Sequence, residues 1–374
     1  MDRQLLDLYS DYLISSFGQA TATGLARLLD GVVSHDRRCS IAEVTRFLAK
    51  SDYTSRELWQ LIKPKVRQIE SAEEGIIIFD DTIIEKPHTD ENEIVCWHLG
   101  DGRSPYHSKG RNVKGVAILN CLYQAGGHTL PIAFEIVRKN ILYIDEKTQT
   151  LRRKSEVTKN ELLKRMLKHC RQNQLKYKYV LTDSWYCSQD NLEAIKLTYK
   201  KDFICAIQSN RLVALSLAEK KKGIYDRIES LHLEEGVVYR LDLKGLPFEV
   251  LVVRQLFKNE DGSGGELGDG TSPYLVTSDL TLSYDAITAI YQRRWKVEEY
   301  HKSIKQNTAA GRSPTRTVRT QSNHFFLAIY AFFKLECLSL AEGVNQFAFV
   351  ARLWLPAMKA SFKELRARQQ LVAA

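Results

Sequence analysis

The sequence predicts an α/β protein built around a mixed sheet that is flanked by helices. Residues 75–137 contain three strand candidates that look antiparallel, and a glycine turn joins the last two. Strand and helix then alternate between residues 159 and 208, which is typical of strands joined by crossover helices. A helical region precedes this pattern, and a strand-rich insertion separates it from the helices near the C-terminus.

Residues 1–70 are predicted to form the helical region. Four stretches carry apolar residues at spacings of three and four, as on one face of a helix. They are Leu5–Phe17, Thr23–Leu29, Ile41–Ala49 and Ser55–Ile69. Ser40 and Ser55 are candidate N-caps of the last two. On a basic protein such a helical region could bind DNA or could pack against and support the rest of the fold, and the sequence does not choose between the two.

The first strand candidate, Gly75–Phe79, is a continuous apolar run that stops at Asp80, as expected for a strand buried on both faces. A glycine turn at Ala125–Gly127 joins the next two strands. The remaining candidates are strands at Val113–Tyr123, Thr129–Val137, Tyr177–Leu181 and Phe203–Gln208, and helices at Lys159–Asn173 and Asn191–Tyr199.

Residues 210–280 are predicted to be the β-rich insertion. Its strand candidates are Val237–Leu243, Phe248–Phe257 and Tyr274–Thr277, with a glycine-rich loop at Asn259–Gly270. Helices are predicted over residues 283–305 and 322–341 and in the tail from residue 353. The expected domains are therefore 1–70, a catalytic domain at 71–325 that contains the insertion, and a helical region at 326–374. The segment Leu99–Tyr106 returns as Leu267–Tyr274 with seven of eight positions identical, and both copies are predicted to be loops without a catalytic role.

Composition bounds the class of protein. Hydrophobic residues make up 44% and charged residues 26%, as in folded soluble proteins. The first residues lack the basic start and apolar block of a signal peptide, and no membrane partner is expected. Seven scattered cysteines without a CxxC pair suggest free thiols. The net charge of +9 favours a polyanionic partner.

Two strand candidates end in acid. Asp80 or Asp81 follows the first strand, and Asp183 follows the strand that precedes the second helix. An acid that ends a buried strand lies at the rim of the sheet, within reach of a ligand or a metal. Acids are also common turn residues, so each position alone is ambiguous.

A third acid lies on a predicted helix with a specific set of neighbours. Tyr291, Arg294, Glu298 and Lys305 fall within an arc of roughly 60° on a helix with 3.6 residues per turn. Two cations beside one carboxylate suit an acid that holds metal while the cations hold phosphates. The alternative is a solvated helix face with ordinary ion pairs. Glu299 points elsewhere and is the weaker candidate.

These residues resemble a known family. The spacing Tyr291-x2-Arg294-x3-Glu298-x6-Lys305 matches the Y-(2)-R-(3)-E-(6)-K signature of insertion-sequence DDE transposases, and the segments around Asp80 and Asp183 are similar to that family's other acidic regions. The resemblance covers about residues 75–325. It implies an RNase H-like catalytic domain that cuts DNA at transposon ends and joins the 3′-hydroxyl to target DNA.

The resemblance also implies the cofactor and the partners. Asp80, Asp183 and Glu298 would hold two Mg²⁺ or Mn²⁺ ions on either side of a scissile phosphate, a task that suits carboxylates. The partners would be double-stranded DNA, as terminal inverted repeats and target, and a second copy of the chain in the DNA-bound synaptic complex. The expected location is the bacterial cytoplasm, at the nucleoid.

The predicted DNA contacts form two groups. By resemblance, Tyr291, Arg294 and Lys305 would contact phosphates near the transposon end. Basic segments flank the predicted centre and supply charge and hydroxyl donors to phosphates. Their candidate residues are Lys109, Arg111, Lys114, Arg316 and Arg319.

Some alternatives stay open from sequence. Family members place the first Asp at the position of either Asp80 or Asp81, and we favour Asp80. No tryptophan lies between Trp185 and Trp295, so another aromatic residue, such as Tyr239, Phe248 or Phe257, would have to hold a flipped base in a hairpin route. An RNase H-fold nuclease without strand transfer and an inactive DNA-binding copy are the rival functions.

Overall fold

The computed structural model describes residues 2–29, 40–99, 112–147, 149–255 and 274–373. The chain divides into two compact units. Unit 1 comprises Met1–Ile62 and Glu299–Ala374, and unit 2 comprises Lys63–Glu298. Both copies of the repeated loop, apart from Leu99 and Tyr274, and the glycine-rich loop at 259–270 lie outside the described residues.

Unit 1 is helical. The four predicted N-terminal helices are present with small shifts in their ends, as α1 (Arg3–Ser15), α2 (Ala22–Leu29), α3 (Ile41–Lys50) and α4 (Ser55–Ile69). Ser40 caps α3 in a capping box with Glu43, as predicted. The predicted N-cap of α4, Ser55, was wrong by one residue, because Thr54 precedes the helix and makes the capping contacts. The Thr54 hydroxyl accepts a hydrogen bond from the Arg56 N–H, and the Glu57 carboxylate accepts one from the Thr54 N–H.

Two long helices close unit 1, namely α10 (Val318–Ala341) and α11 (Gln346–Ala373). By length and composition, α10 is the one helix among the described residues that could cross a membrane, yet 61% of its apolar window is buried. Its polar side chains bind other helices of the unit. The Asn323 amide donates to the carbonyls of Leu48 and Ser51, and His324 Nδ1 lies 3.1 Å from the Tyr9 hydroxyl. Helix α10 therefore has the pattern of a core helix.

The centre of unit 2 is a mixed sheet. Its central strands are β1 (Ile76–Glu85), β3 (Asn112–Ala125), β4 (His128–Ile136), β7 (Tyr179–Thr182) and β8 (Asp202–Ile207). They lie in the spatial order β4-β3-β1-β7-β8, with β1, β7 and β8 parallel and β3 and β4 antiparallel. Helix α5 (Lys159–Gln172) packs against β3 and β4. This is the RNase H-like arrangement, and it confirms the predicted fold class.

The turn between β3 and β4 agrees with the sequence prediction. Gly126 and Gly127 both have positive φ, at 54° and 77°. Two central residues of this kind form the tight hairpin turn whose twist matches its strands, and glycine adopts it without strain. The antiparallel pair is thereby fixed in register beside β1.

The first acid lies inside a strand, so the prediction that it ends one was wrong. β1 continues to Glu85 because the long strand β3 supplies partners as far as Gly115. The parallel ladder with β7, in contrast, stops at Ile78. Asp80 thus lies just beyond the end of the parallel ladder, while the backbone around it is held by β3. Asp183 does follow the end of β7, as predicted.

The insertion extends the main sheet. β13 (Tyr274–Thr277) pairs with β8, and β12 (Val250–Arg254) and β11 (Val238–Leu243) follow it outward. The sequence did not predict the elements β9 (Leu212–Ala214), α7 (Leu217–Lys222) and β10 (Asp226–Arg227), of which the two strands complete this end of the sheet. Their shortness explains the omission, since two to six residues carry too little periodic signal.

Three further strands were also missed. β2 (Cys96–Leu99) pairs with β3, and β5 (Ile141–Ile144) pairs with β6 (Leu151–Lys154) as a separate two-stranded sheet. The second predicted helix of the α/β region is present as α6 (Gln189–Glu193), continued by one π-helical turn at Ala194–Thr198.

The signature segment is helical but not one continuous α-helix. It consists of α8 (Tyr284–Gln292), a 3-10 turn at Arg293–Trp295 and α9 (Lys296–Gln306). The predicted single helix over 283–305 is corrected in this respect. The tighter turn has three residues per turn, so it rotates the side chains that follow Tyr291 relative to a uniform α-helix.

Candidate active site

The two aspartates lie just beyond the point where the neighbouring strands β1 and β7 stop pairing. The parallel register pairs Ile76 with Tyr179 and Ile78 with Leu181, so two further residues bring Asp80 beside Asp183. Neighbouring strands are about 4.8 Å apart. Both aspartates are buried, with 2% and 5% of their surface exposed. The sheet therefore concentrates two carboxylates where the parallel ladder ends.

Asp81 has different partners. Its carboxylate accepts a hydrogen bond from the Tyr186 hydroxyl at 2.5 Å and pairs with Lys159 Nζ at 2.6 Å. Successive side chains of a strand point to opposite faces, so Asp80 and Asp81 cannot serve the same site. Burial raises the pKa of Tyr186 far above its usual range, and the Asp81 charge adds to this effect, so the phenol stays a donor. Asp81 thus belongs to a local ion pair and hydrogen bond.

Arg294 joins Asp80 to Glu298. Its Nη1 lies 3.4 Å from Asp80 Oδ2 and 3.6 Å from Glu298 Oε1. The side chains of Arg294 and Asp80 are 4% and 3% exposed, whereas that of Glu298 is 27% exposed. A single buried positive charge is therefore shared by two acids, one enclosed and one open to solvent.

The pKa values around Arg294 follow from this arrangement. Burial alone lowers the pKa of Arg294, but the neighbouring groups Tyr291, Asp80, Glu298 and Asp183 outweigh it and raise the pKa above its usual range. Burial also raises the pKa of Tyr291, whose hydroxyl lies 3.4 Å from the Thr182 carbonyl oxygen that accepts from it. The guanidinium carbon is 5.7 Å from the Tyr291 ring centroid. Arg294 is charged and Tyr291 neutral at any physiological pH.

The donor set fits a hard divalent cation. A carboxylate oxygen of Asp80 and one of Glu298 lie within 4.8 Å of each other. Asp183 is not part of the group of ligand atoms that meets this limit, although it directly follows β7, the strand that pairs with β1. Carboxylate oxygens are the ligands that Mg²⁺ and Mn²⁺ favour. The two acids that hold the Arg294 guanidinium between them also provide the negative charge that attracts a metal cation.

Comparison with known proteins identifies the family. The transposase DDE domain family matches residues 71–333, which is well over half of the chain. The chain belongs to this transposase family. The match confirms the resemblance that the tyrosine, arginine, glutamate and lysine spacing indicated.

Other comparisons add little to the family match. No curated protein matches this transposase-family chain. Among solved structures, endonuclease V of Ciona intestinalis, in complex with a 24mer DNA containing an inosine followed by a ribo-adenosine, is 11% identical. That alignment covers 66% of this chain and 97% of the endonuclease, with a TM-score of 0.25.

The three residues of the signature helix that were predicted to contact DNA differ in their exposure to solvent. Tyr291 and Arg294 are buried, at 8% and 3% exposure, and their polar atoms are engaged as described above. Lys305, on α9, is exposed. The role of all three at phosphates stays a prediction.

The remaining basic candidates also stay predictions. Lys114 lies on β3 with its Nζ 5.9 Å from the Trp97 ring centroid. Arg316 is exposed, and Arg319 pairs with Asp52 at 2.9 Å. Lys109 and Arg111 lie outside the described residues.

Sequence reasoning missed three residues around the acids. Tyr186 and Lys159 hold Asp81, as described above. Trp185 is 77% exposed, and its backbone N–H donates to Asp183 Oδ1 at 3.0 Å. The signal for Trp185 and Tyr186 was present in the aromatic residues that follow Asp183, whereas Lys159 gave none.

The aromatic candidates for a flipped base are partly accounted for. The ring of Phe248 contacts that of Phe203, with centroids 6.3 Å apart. The Tyr239 hydroxyl accepts from the Glu234 N–H. Phe257 lies outside the described residues.

Proposed function

We propose that this chain is an active DDE transposase that cleaves DNA at transposon ends and joins the resulting 3′-hydroxyl to target DNA. The observation that supports this most directly is the position of Asp80 and Asp183, each just beyond the parallel ladder of β1 and β7, with Glu298 linked to Asp80 through Arg294. Three acids from distant parts of the chain thereby contribute to one edge of the sheet. Phosphoryl transfer assisted by two metal ions uses such a concentration of carboxylates to hold the ions.

Asp80, Asp183 and Glu298 are the proposed metal ligands. When bound, two Mg²⁺ or Mn²⁺ ions would supply activation of the attacking hydroxyl and stabilisation of the leaving oxygen. Asp80 is preferred to Asp81 because Asp81 faces the other side of β1 and is held by Lys159 and Tyr186. The greater exposure of Glu298 suits the acid that lies nearest to the incoming substrate.

Arg294 and Tyr291 are proposed as positioning residues. Arg294 holds the two carboxylates together before metal binds, which reduces the repulsion between them. Tyr291 fixes the helix that carries this arginine by donating to the Thr182 carbonyl, one residue before Asp183. The two residues thereby link the signature helix to both aspartate-bearing strands.

Double-stranded DNA is the proposed substrate, both as terminal inverted repeats and as target. We expect a homodimer when two ends are held in a synaptic complex, and a place of action in the bacterial cytoplasm at the nucleoid. The net charge of +9 supports a polyanionic substrate.

The test is cleavage and strand transfer on a plasmid that carries the element's flanking repeats, with Mg²⁺. We expect Asp80→Asn, Asp183→Asn and Glu298→Gln each to lower the cleavage rate by more than about 100-fold. Loss of a residue that only hydrogen-bonds to a metal ligand typically costs about 10- to 100-fold, so a larger loss indicates a direct ligand. The matched control for Glu298→Gln is Glu299→Gln, the same change at a neighbouring glutamate, which should leave cleavage within about threefold of wild type.

The outcomes separate the rival functions. Cleavage without joined products would favour a nuclease, and end binding without any cleavage would favour an inactive copy. A large loss in Asp81→Asn with near-normal cleavage in Asp80→Asn would reverse the assignment of the first acid.

A further inference from the structure

The strands β5 and β6 form a two-stranded ribbon, which we call the ribbon (residues 141–154). It pairs only within itself and is separate from the main sheet of unit 2. Its base is fixed. Asn140 exchanges hydrogen bonds with Glu156 across the root, at 3.0 and 3.2 Å, and Lys139 Nζ donates to the Trp97 carbonyl at 2.7 Å. The ribbon is therefore a defined projection from a rigid base.

The ribbon is exposed on both faces. All four residues of β5 and three of the four residues of β6 are exposed. Large apolar side chains are among them, with Leu142 at 52%, Ile144 at 63% and Leu151 at 67%. An isolated two-stranded hairpin is only marginally stable in water. Apolar exposure concentrated on such an element indicates a surface that is covered when the protein works.

The register assigns the side chains to two faces. Tyr143 lies opposite Arg152 and Ile141 opposite Lys154, so one face combines two cations with an aromatic ring, and Arg152 also pairs with Asp145 at 3.0 Å. Lys154 Nζ is 5.4 Å from the Tyr143 ring centroid. We call this the basic face.

The other face is mainly apolar. Leu142 lies opposite Arg153, and Ile144 lies opposite Leu151. The pair Ile144 and Leu151 is the last before the connecting loop, so we call these two residues the tip.

Charge indicates what covers the ribbon. The ribbon contains four lysines and arginines and two acids, a difference of +2. Two identical ribbons would bring like charges together, which disfavours a second copy as the occupant. A polyanion is favoured, and the major groove of duplex DNA admits a two-stranded ribbon.

The position of the ribbon agrees with this occupant. Lys159 pairs with Asp81, the neighbour of Asp80, and four residues separate Lys159 from the end of β6 at Lys154. The five Cα–Cα steps between Lys154 and Lys159 span at most about 18 Å. The ribbon therefore starts within about one helical turn of DNA, roughly 34 Å, from the acids.

We propose that the ribbon is a DNA-binding arm that grips the duplex beside the cleavage site. The basic face contacts phosphates, and the tip enters the groove and makes apolar contacts with the bases. Apolar side chains of this kind can also wedge between base steps and bend DNA. This inference rests on the proposed function for its substrate, and it adds a binding surface outside the acidic site.

The first experiment measures the binding of the full chain to a duplex of arbitrary sequence without divalent metal, as a function of salt. Arg152→Gln with Lys154→Gln removes two phosphate contacts, so the slope of log K against log salt should become shallower by about 2. The affinity at 0.1 M salt should fall on the order of 50-fold. The matched control is Lys221→Gln with Lys222→Gln, the same loss of charge at two exposed lysines of unit 2. Equal slopes for the two double variants would overturn the proposal.

The second experiment addresses the tip. Ile144→Ser with Leu151→Ser should weaken binding at least about tenfold while leaving the salt slope unchanged, because apolar contacts release no counterions. Energy transfer between the duplex ends should show less bending than with wild type. Unchanged DNA affinity together with a shift from dimer to monomer in light scattering would overturn the DNA arm in favour of a second copy.

These outcomes are distinct from those of the active-site test. If acid variants lose cleavage as expected and ribbon variants bind DNA as wild type does, the arm proposal alone fails. If neither the wild type nor any variant cleaves DNA, but the ribbon variants bind DNA more weakly as expected, the arm proposal stands and the catalytic proposal fails.

Discussion

Arg294→Gln tests whether the buried arginine is what allows two acids to approach without metal. At separations of about 3.5 Å and an effective dielectric of about 20, each Arg294–carboxylate pair attracts by about 5 kcal/mol before desolvation is counted. Removing one partner of a buried ion pair costs about 3–5 kcal/mol, because the remaining charge stays enclosed. The contacts at 3.4 and 3.6 Å are longer than optimal, so we expect about 3 kcal/mol.

The assay is thermal unfolding in metal-free buffer, followed by circular dichroism. A loss of about 3 kcal/mol should lower the melting temperature by about 6–12 °C for a unit of this size. Arg294→Lys keeps the charge and should recover part of the loss. Arg171→Gln, an exposed arginine on α5, should melt within about 1 °C of wild type. The reasoning is refuted if Arg294→Gln has the same melting temperature as Arg171→Gln.

Three further predictions concern pH, metal and a helix cap. Burial, aided by the charges of Lys139 and Lys159, lowers the pKa of His98 to about 4. The unfolded chain therefore binds the proton first, and between pH 7.5 and pH 5 wild type should lose about 2 kcal/mol that His98→Gln does not lose, as measured by urea unfolding at both pH values. Mg²⁺ at a hundredfold excess over its dissociation constant should stabilise wild type by about 2.7 kcal/mol, and an equal gain in Asp80→Asn would contradict the assigned ligand; calorimetry measures both. Thr158→Ala removes the capping box of α5 and should cost about 1 kcal/mol in urea unfolding, whereas an unchanged midpoint would show that the cap contributes nothing.

The acids show how far local patterns reach. The run Gly75–Phe79 and the acids that follow it predicted a buried strand beside a candidate ligand, and the structure contains that strand as Ile76–Glu85. The pattern did not choose between Asp80 and Asp81, since the face to which each side chain points depends on which strands flank β1. The registers with β3 and β7 supply this information.

The signature helix shows a second limit. Spacing alone grouped Tyr291, Arg294 and Glu298, and the structure keeps Arg294 against Glu298. The 3-10 turn at Arg293–Trp295 was not predicted, and neither was the contact of Arg294 with Asp80. That contact joins residues 214 positions apart, beyond the range of any local periodicity.

The sequence analysis missed the strands β9 and β10 of the insertion and both strands of the ribbon. β9 and β10 have three and two residues, and β5 and β6 have four residues each. Segments this short contain too few residues for a periodic apolar pattern to be recognised.

The sequence by itself determined the α/β class, the helical N-terminal region, the three candidate acids and the family, because periodicity, turn chemistry and fixed spacing are local properties of the chain. Only the tertiary structure decided that Asp80 and not Asp81 lies beside Asp183, that Arg294 bridges two acids, and that the insertion continues the main sheet. The physical reason is that strand register and burial arise from contacts between distant segments, and these contacts set which face, which partner and which charge each side chain meets.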